Sequence, residues 1–433
     1  MKKSRTAQIR VLVKQDPVAG KKALTELLLD LFGITANAIE INYDQYSLNS
    51  LNGFFECQMG MCFFKFHQED GEEDMKGEYY RAELLANAEL PIDLPILKST
   101  QPGEQILVYK RRGEQRFSDV LRALDVNPDE KKISEAIASE RYLNEQILKV
   151  ARRTLHAVDG EQVASEPIHH LFYDRMINPK TGCAPGGRYL EFYLEKSFDF
   201  HRCELTWDEF STAEIKVNGQ VLALNFGQIF SQALNNLNPE NLTSAGGFTA
   251  HGDAHNANVW YQREVSGPRL VYFDPAFAGE HIPSILAEVK ATFHNIFAHP
   301  FWLYEQSQAA SRYSANVSFD AGTLEITTNW ELSVIRQELL EVKAKAFWRP
   351  FLTVLSEKKM LPENWRAILR SALAMCPALV MNLRPNADRH NSTTAAIGFA
   401  MIALAGAEPR NGQNMFTQFF DQIDPNMVSS GHL

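Results

Sequence analysis

The sequence predicts an α+β fold in two lobes, a small sheet-rich lobe leading into a large helical one. Three observations carry that prediction. Between residues 38 and 67 the apolar residues come in short runs broken by Asn, Ser and Gly, which is strand-and-turn patterning. After residue 111 they recur at three- and four-residue spacing over long stretches, which is helical patterning. At 433 residues, with 45% hydrophobic and 22% charged, the chain is long enough for roughly two to three lobes and apolar enough to bury their cores.

Residues 1–35 read as an N-terminal helical segment. Leu24, Leu27, Leu28 and Leu31 share one face of a helix over 19–32, and Gly33 ends it. Residues 36–110 read as the small lobe. Strands are predicted over 38–46, 53–58 and 61–67, with Gly60 at the turn between the last two. An acidic loop, 68–74, leads to a helix over 76–88, which Leu90-Pro91 and Leu94-Pro95 break. A further strand covers 105–110. Residues 111–433 read as the helical lobe, with helices over 118–124, 130–156, 222–237, 282–298, 331–356 and 364–376. Strands return at 257–262 and 270–273, joined by a turn at Ser266-Gly267-Pro268, and 178–188 is a Pro/Gly-rich loop. The small-apolar run 395–407 is shorter than the roughly 18 residues of a membrane span and reads as a buried helix.

The net charge of −10 lacks the basic balance of a nucleic-acid binder. The five cysteines are an odd number, scattered, with no close-spaced CxxC pair, so neither a zinc site nor a disulfide framework can be read from them. They suit inert thiols in a reducing compartment. The basic start is followed only by Val11-Leu12-Val13, too short for a signal-peptide core. These features predict a cytoplasmic protein with neither membrane nor nucleic acid as partner.

The strongest chemical signal is His251-Gly252-Asp253-Ala254-His255-Asn256-Ala257-Asn258, then a hairpin, then Tyr272-Phe273-Asp274-Pro275. Phosphoryl transfer needs a carboxylate to take or orient an acceptor proton, and oxygen ligands for the Mg²⁺ on the nucleotide phosphates. Asp and Asn five positions apart on one loop offer both, and an Asp at the end of the hairpin completes the metal set.

This pattern resembles the aminoglycoside phosphotransferase and choline kinase-like superfamily. The resemblance spans 42–299. It implies the bilobal protein kinase-like fold, ATP and Mg²⁺ as cofactors, and a small-molecule acceptor that receives the γ-phosphate on a hydroxyl or amine. It implies Asp253 as the catalytic carboxylate, Asn258 and Asp274 as metal ligands, and His251 and His255 as organisers of the loop. Two departures are local: Asn256-Ala257 replaces the usual Pro-Gly, and Pro275 follows the metal-binding Asp. The Asp-Pro variant is similar to branches acting on sugars and sugar amines.

Lys65 sits in the apolar strand Met61-Cys62-Phe63-Phe64-Lys65-Phe66, where an ammonium is costly unless it meets anions. Nucleotide phosphates and a helix Glu would supply them. Glu78 is the matching partner by its distance ahead of Leu90-Pro91, with Glu83 next in line. The phosphate-covering loop is expected over 47–53, with Ser50 and Asn52 as its polar side chains. Tyr109 to Arg111 is the expected hinge, whose backbone would meet adenine. Trp302, Tyr304, Trp348 and Trp365 are candidates to line an acceptor pocket, or core residues.

Three other readings are open on the same residues. One is a kinase-fold transferase acting on a protein, although no activation-segment motif follows Asp274. Another is a non-catalytic nucleotide-binding module. The last is a metallohydrolase using His251, Asp253 and His255 as ligands.

Overall fold

The computed structural model describes residues 4–42, 50–67, 81–265, 267–298 and 300–427. It divides into two compact units, Met1–Glu83 with Ile92–Glu114, and Leu84–Pro91 with Gln115–Leu433.

The first unit opens with two helices, α1 (Arg5–Gln15) and α2 (Pro17–Phe32). Asp16 ends the first and caps the second, accepting from the N–H groups of Val18 and Ala19 at 3.1 Å. Pro17 sits in the first turn, where its missing N–H costs nothing, and Gly33 closes α2 at φ +67°. Within the helical segment expected over 1–35, the sequence pattern gives bounds only to the second helix. The buried residues of α1 are Thr6, Ile9, Arg10 and Val13, so two polar residues interrupt the apolar stripe.

A five-stranded antiparallel sheet follows, from β1 (Asn37–Asn42), β2 (Ser50–Cys57), β3 (Gly60–His67), β4 (Leu97–Ser99) and β5 (Ile106–Lys110), in the order β1-β2-β3-β5-β4. Its two faces differ. One carries Leu51, Phe55, Cys62, Phe64 and Phe66, and packs with Ile9, Val13, Leu24, Leu27 and Leu28 of the helices. Each such fully buried side chain contributes about 1.5–3 kcal/mol. Gly53 lets β1 and β2 approach on this face: a Cβ there would lie 2.1 Å from Glu40 O and 2.9 Å from the Phe64 ring. The other face carries Phe63, Leu107 and Tyr109.

The second unit is mainly helical. Phe117–Val126, Glu130–Thr154, Phe226–Asn236, Trp365–Ala378 and Ser392–Gly406 match the expected helices within a few residues. The last is almost wholly buried, as its apolar run from Ala395 requires. Among the described residues, no helix is long and apolar enough to cross a membrane.

Two predicted helices are corrected. Over 282–298, only Val289–Thr292 is α-helical, and it widens into a π turn over Phe293–Phe297. The preceding Gly279–Pro283 is a strand paired with Gly247–Ala250. Over 331–356, Val334–Val342 and Arg349–Glu357 flank a second π turn, Lys343–Trp348. Strands are also more frequent than expected. Glu214–Val217, Gln220–Val221, Ala315–Asp320 and Thr323–Thr328 form a four-stranded sheet. Its two hairpins lie about a hundred residues apart, and the parallel pairing of Glu214–Val217 with Thr323–Thr328 that joins them leaves no local signal. The alternation of Val317 and Phe319, then Leu324 and Ile326, was nevertheless present. Trp302 and Trp348 are fully buried and donate to Phe297 O and Thr292 Oγ1, so they are core residues.

Candidate active site

The site in the second unit is built by one loop and the hairpin that follows it. Strand Gly247–Ala250 delivers the chain to His251. Gly252 then turns at φ +74°, and a Cβ there would lie 2.3 Å from Phe277 O, so only glycine fits the approach. Residues 253–258 form tight turns: His255 N–H donates to Asp253 O at 2.9 Å, and Asn258 N–H to His255 O at 2.7 Å. The strands Val259–Glu264 and Gly267–Tyr272 pair in register and end at Phe273-Asp274.

The end of the hairpin is tied back to the loop twice. Phe273 N–H donates to Asn258 O at 3.0 Å, and the His251 ring Nε2 meets Phe273 O at 3.0 Å. A carbonyl only accepts, so His251 Nε2 carries the proton. Burial lowers the pKa of His251, which favours this neutral, loop-bracing form. Its structural commitment argues against service as a metal ligand through Nε2. Among the described residues there is no group of three or more His, Cys, Asp or Glu arranged to hold a metal.

Asn258 fits an oxygen-ligand role. Its Nδ2 donates to Asp253 O at 3.0 Å, which orients the amide and leaves Oδ1 for a hard cation. Asp274 stands at φ +56°, an uncommon backbone conformation for a residue with a Cβ. The loop and hairpin therefore bring together Asp253, Asn258 and Asp274, the three residues singled out by spacing.

Asp253 has a surrounding that the sequence did not disclose. Its Oδ2 lies 3.7 Å from His255 Nε2, and its Oδ1 lies 3.9 Å from Lys290 Nζ. Lys290 Nζ is 3.0 Å from His294 Nε2, and His294 Nδ1 is 2.8 Å from Tyr304 Oη. Burial lowers the pKa of Lys290, opposed by Asp253, and lowers those of His255 and His294. A second anchor enters from outside the loop. Asn256 N–H donates to Asn295 Oδ1 at 2.7 Å, Arg336 donates to Asn295 O, and Arg336 pairs with Asp125 at 2.6 Å with both side chains buried. In the sequence Lys290, His294 and Asn295 lie in a mixed run with Ser284, Glu288 and Thr292, so nothing there marks them out.

The candidates of the first unit fare unevenly. Lys65 lies on the sheet face opposite the main core, half-buried, with Asn52 and Leu107 as its cross-strand neighbours. Asn52 is a correction: it lies inside β2, buried, rather than in a loop, because the strand starts at Ser50. Residues 47–49 and Glu78 lie outside the described residues. Glu83, the second choice as partner of Lys65, pairs with Lys98 at 2.6 Å. Tyr109 is buried beside Phe63 on the same face as Lys65. Arg111 closes the segment expected as the hinge. Its N–H is committed to Met61 O at 2.9 Å, and its guanidinium stacks 4.7 Å from the Phe54 ring centre.

The chain is similar to several solved phosphotransferases. A spectinomycin phosphotransferase, APH(9)-Ia, solved with ADP and spectinomycin, is 13% identical with a TM-score of 0.36, covering 88% of this chain and 98% of that one. The macrolide 2′-phosphotransferase MphH from Brachybacterium faecium is 10% identical with a TM-score of 0.34, covering 81% and 98%. An ethanolamine kinase from Plasmodium vivax is 8% identical with a TM-score of 0.32, covering 88% and 96%. No family model and no curated protein matches the chain.

Proposed function

We propose that this protein is an ATP- and Mg²⁺-dependent phosphotransferase of the aminoglycoside phosphotransferase and choline kinase-like type, moving the γ-phosphate to a hydroxyl or amine of a small molecule. One observation carries the reading: the double tie of Phe273 to Asn258 and His251, which holds the hairpin end carrying Asp274 against the loop carrying Asp253 and Asn258. Asp253 takes or orients the acceptor's proton while the acceptor atom bonds to the γ-phosphorus and the bond to ADP breaks. Asn258 and Asp274 would hold Mg²⁺, which supplies positive charge against the phosphates. Lys65 pairs with nucleotide phosphates as a point charge. Positioning and charge carry the rate, since the protein forms no covalent bond of its own.

The reading is tested by MgATP turnover with water and a pool of small polyols and amino alcohols as acceptors. It predicts Mg²⁺-dependent ADP formation, and absence of both binding and turnover at millimolar MgATP contradicts it. Lys65→Ala should weaken MgATP binding roughly tenfold or more, the scale of one charge-assisted contact, without unfolding the chain. Titration calorimetry reads the first effect and circular dichroism the second. Asp274→Asn should abolish the Mg²⁺-dependent part of the thermal stabilisation by ATP, because an amide is a poorer ligand for a hard cation. An unchanged metal-dependent shift would remove Asp274 from the metal set.

A further inference from the structure

The phosphotransferase reading leaves a buried lysine without a task. Lys290 is 4% exposed, and an ammonium at that depth needs a counter-charge. The groups that face it are Asp253 and His255 from the loop, His294 one turn along its own segment, Cys376 from Trp365–Ala378, and Arg175 and Arg188. Burial pushes the Cys376 thiol up to about 12, so it is neutral. Burial also drives both imidazoles toward their neutral forms. The two guanidiniums are cationic and donate to Leu379 O. Within this set, Asp253 is the negative charge.

The dependence runs in the other direction as well. Asp253 Oδ1 is buried and has no hydrogen-bond partner among the described residues. The cation in front of it is Lys290, at 3.9 Å. Lys290 is itself braced. An ammonium only donates, so His294 Nε2 accepts, and the neutral ring must then carry its proton on Nδ1 and donate to Tyr304 Oη. The lysine, the histidine and the tyrosine thus form one ordered chain ending at the carboxylate.

We propose that Lys290 is a positioning residue for phosphoryl transfer: braced by His294 and Tyr304, it is the buried counter-charge that fixes Asp253 Oδ1 and leaves Oδ2 for the acceptor. This rests on the phosphotransferase reading and assigns Lys290 no contact with nucleotide. A carboxylate that swings by a fraction of an ångström loses the near-attack geometry on which such sites depend. The effect of removing the ammonium therefore falls on turnover and spares nucleotide binding.

The test uses the full chain and the MgATP turnover assay with water and the polyol and amino-alcohol pool. Lys290→Met keeps the length and apolar stem without the charge. It should lower turnover roughly tenfold or more and leave MgATP affinity within about twofold. Lys290→Ala opens space for n-propylammonium, which should restore part of the rate, whereas n-propanol of the same shape should not. A lysine that merely fills space would be replaced equally well by either molecule. Turnover above half of wild type in Lys290→Met, rescue by propanol equal to that by propylammonium, or rescue by neither overturns the proposal. If wild type turns over and Asp253→Asn does not, such a result sinks the role of Lys290 alone. A wild-type protein that neither binds nor consumes MgATP sinks the underlying reading with it.

Discussion

Asp253→Asn is expected to cut acceptor-dependent ATP turnover by about a hundredfold or more while MgATP affinity stays within about twofold. The substitution keeps the size of the side chain and its capacity to accept a hydrogen bond, but an amide takes no proton. The backbone carbonyl of Asp253 is what Asn258 Nδ2 binds, so the loop geometry survives the change. Lys290 loses its counter-charge, and a modest fall in thermal stability accompanies the loss of rate. Steady-state kinetics separate the outcomes. A fall in kcat with unchanged nucleotide affinity marks the catalytic carboxylate, whereas loss of nucleotide binding would make Asp253 a metal or structural residue.

The second large effect is on stability. Arg336→Leu removes the buried counter-charge of Asp125, and Asp125→Leu does the same to Arg336. Breaking one side of a buried pair costs about 3–5 kcal/mol. Each single variant should therefore unfold at markedly lower urea concentration, read by tryptophan fluorescence. The double variant should lose less than the sum of the two, because the uncompensated charge is gone in both places. The pair also holds Asn295, and Asn295 holds Asn256 of the loop that carries Asp253, so a folded single variant should show slower turnover too. Additive losses in the double variant would show that the two side chains act separately.

The sequence was most informative where the candidate residues are close in the chain. Asp253, Asn258 and Asp274 fall within 22 residues, and the hairpin between them announces itself by alternation and a Ser-Gly-Pro turn, so spacing alone brought them together. Lys65 stands out in the sequence because a cation in a phenylalanine-rich strand is out of place, and the structure puts it on the sheet face opposite the main core. What supports Asp253 was not legible. Lys290 and His294 lie on a segment whose period reads as ordinary helix, and the π turn at Phe293–Phe297 that shapes it leaves no signature in composition. Asp125 and Arg336 are 211 residues apart in sequence, and nothing in either neighbourhood predicts their pairing. Asn52 was misread because a Ser-Asn-Gly cluster suggests a turn, yet burial of Leu51 and Phe55 on one face draws the segment into the sheet. That the Arg111 N–H is bonded across to β3 is likewise not visible in the sequence.

The central claim is that the loop and hairpin from His251 to Asp274 transfer the γ-phosphate of ATP. Phosphorus NMR of the full chain with MgATP and the acceptor pool tests it most directly, since one spectrum reports both substrate and product. The account predicts that the γ-phosphorus resonance declines as ADP and a phosphate ester appear, only when Mg²⁺ is present, and not with Asp253→Asn. An ester formed at an undiminished rate by Asp253→Asn, or ATP left intact by wild type across the whole pool, would contradict it.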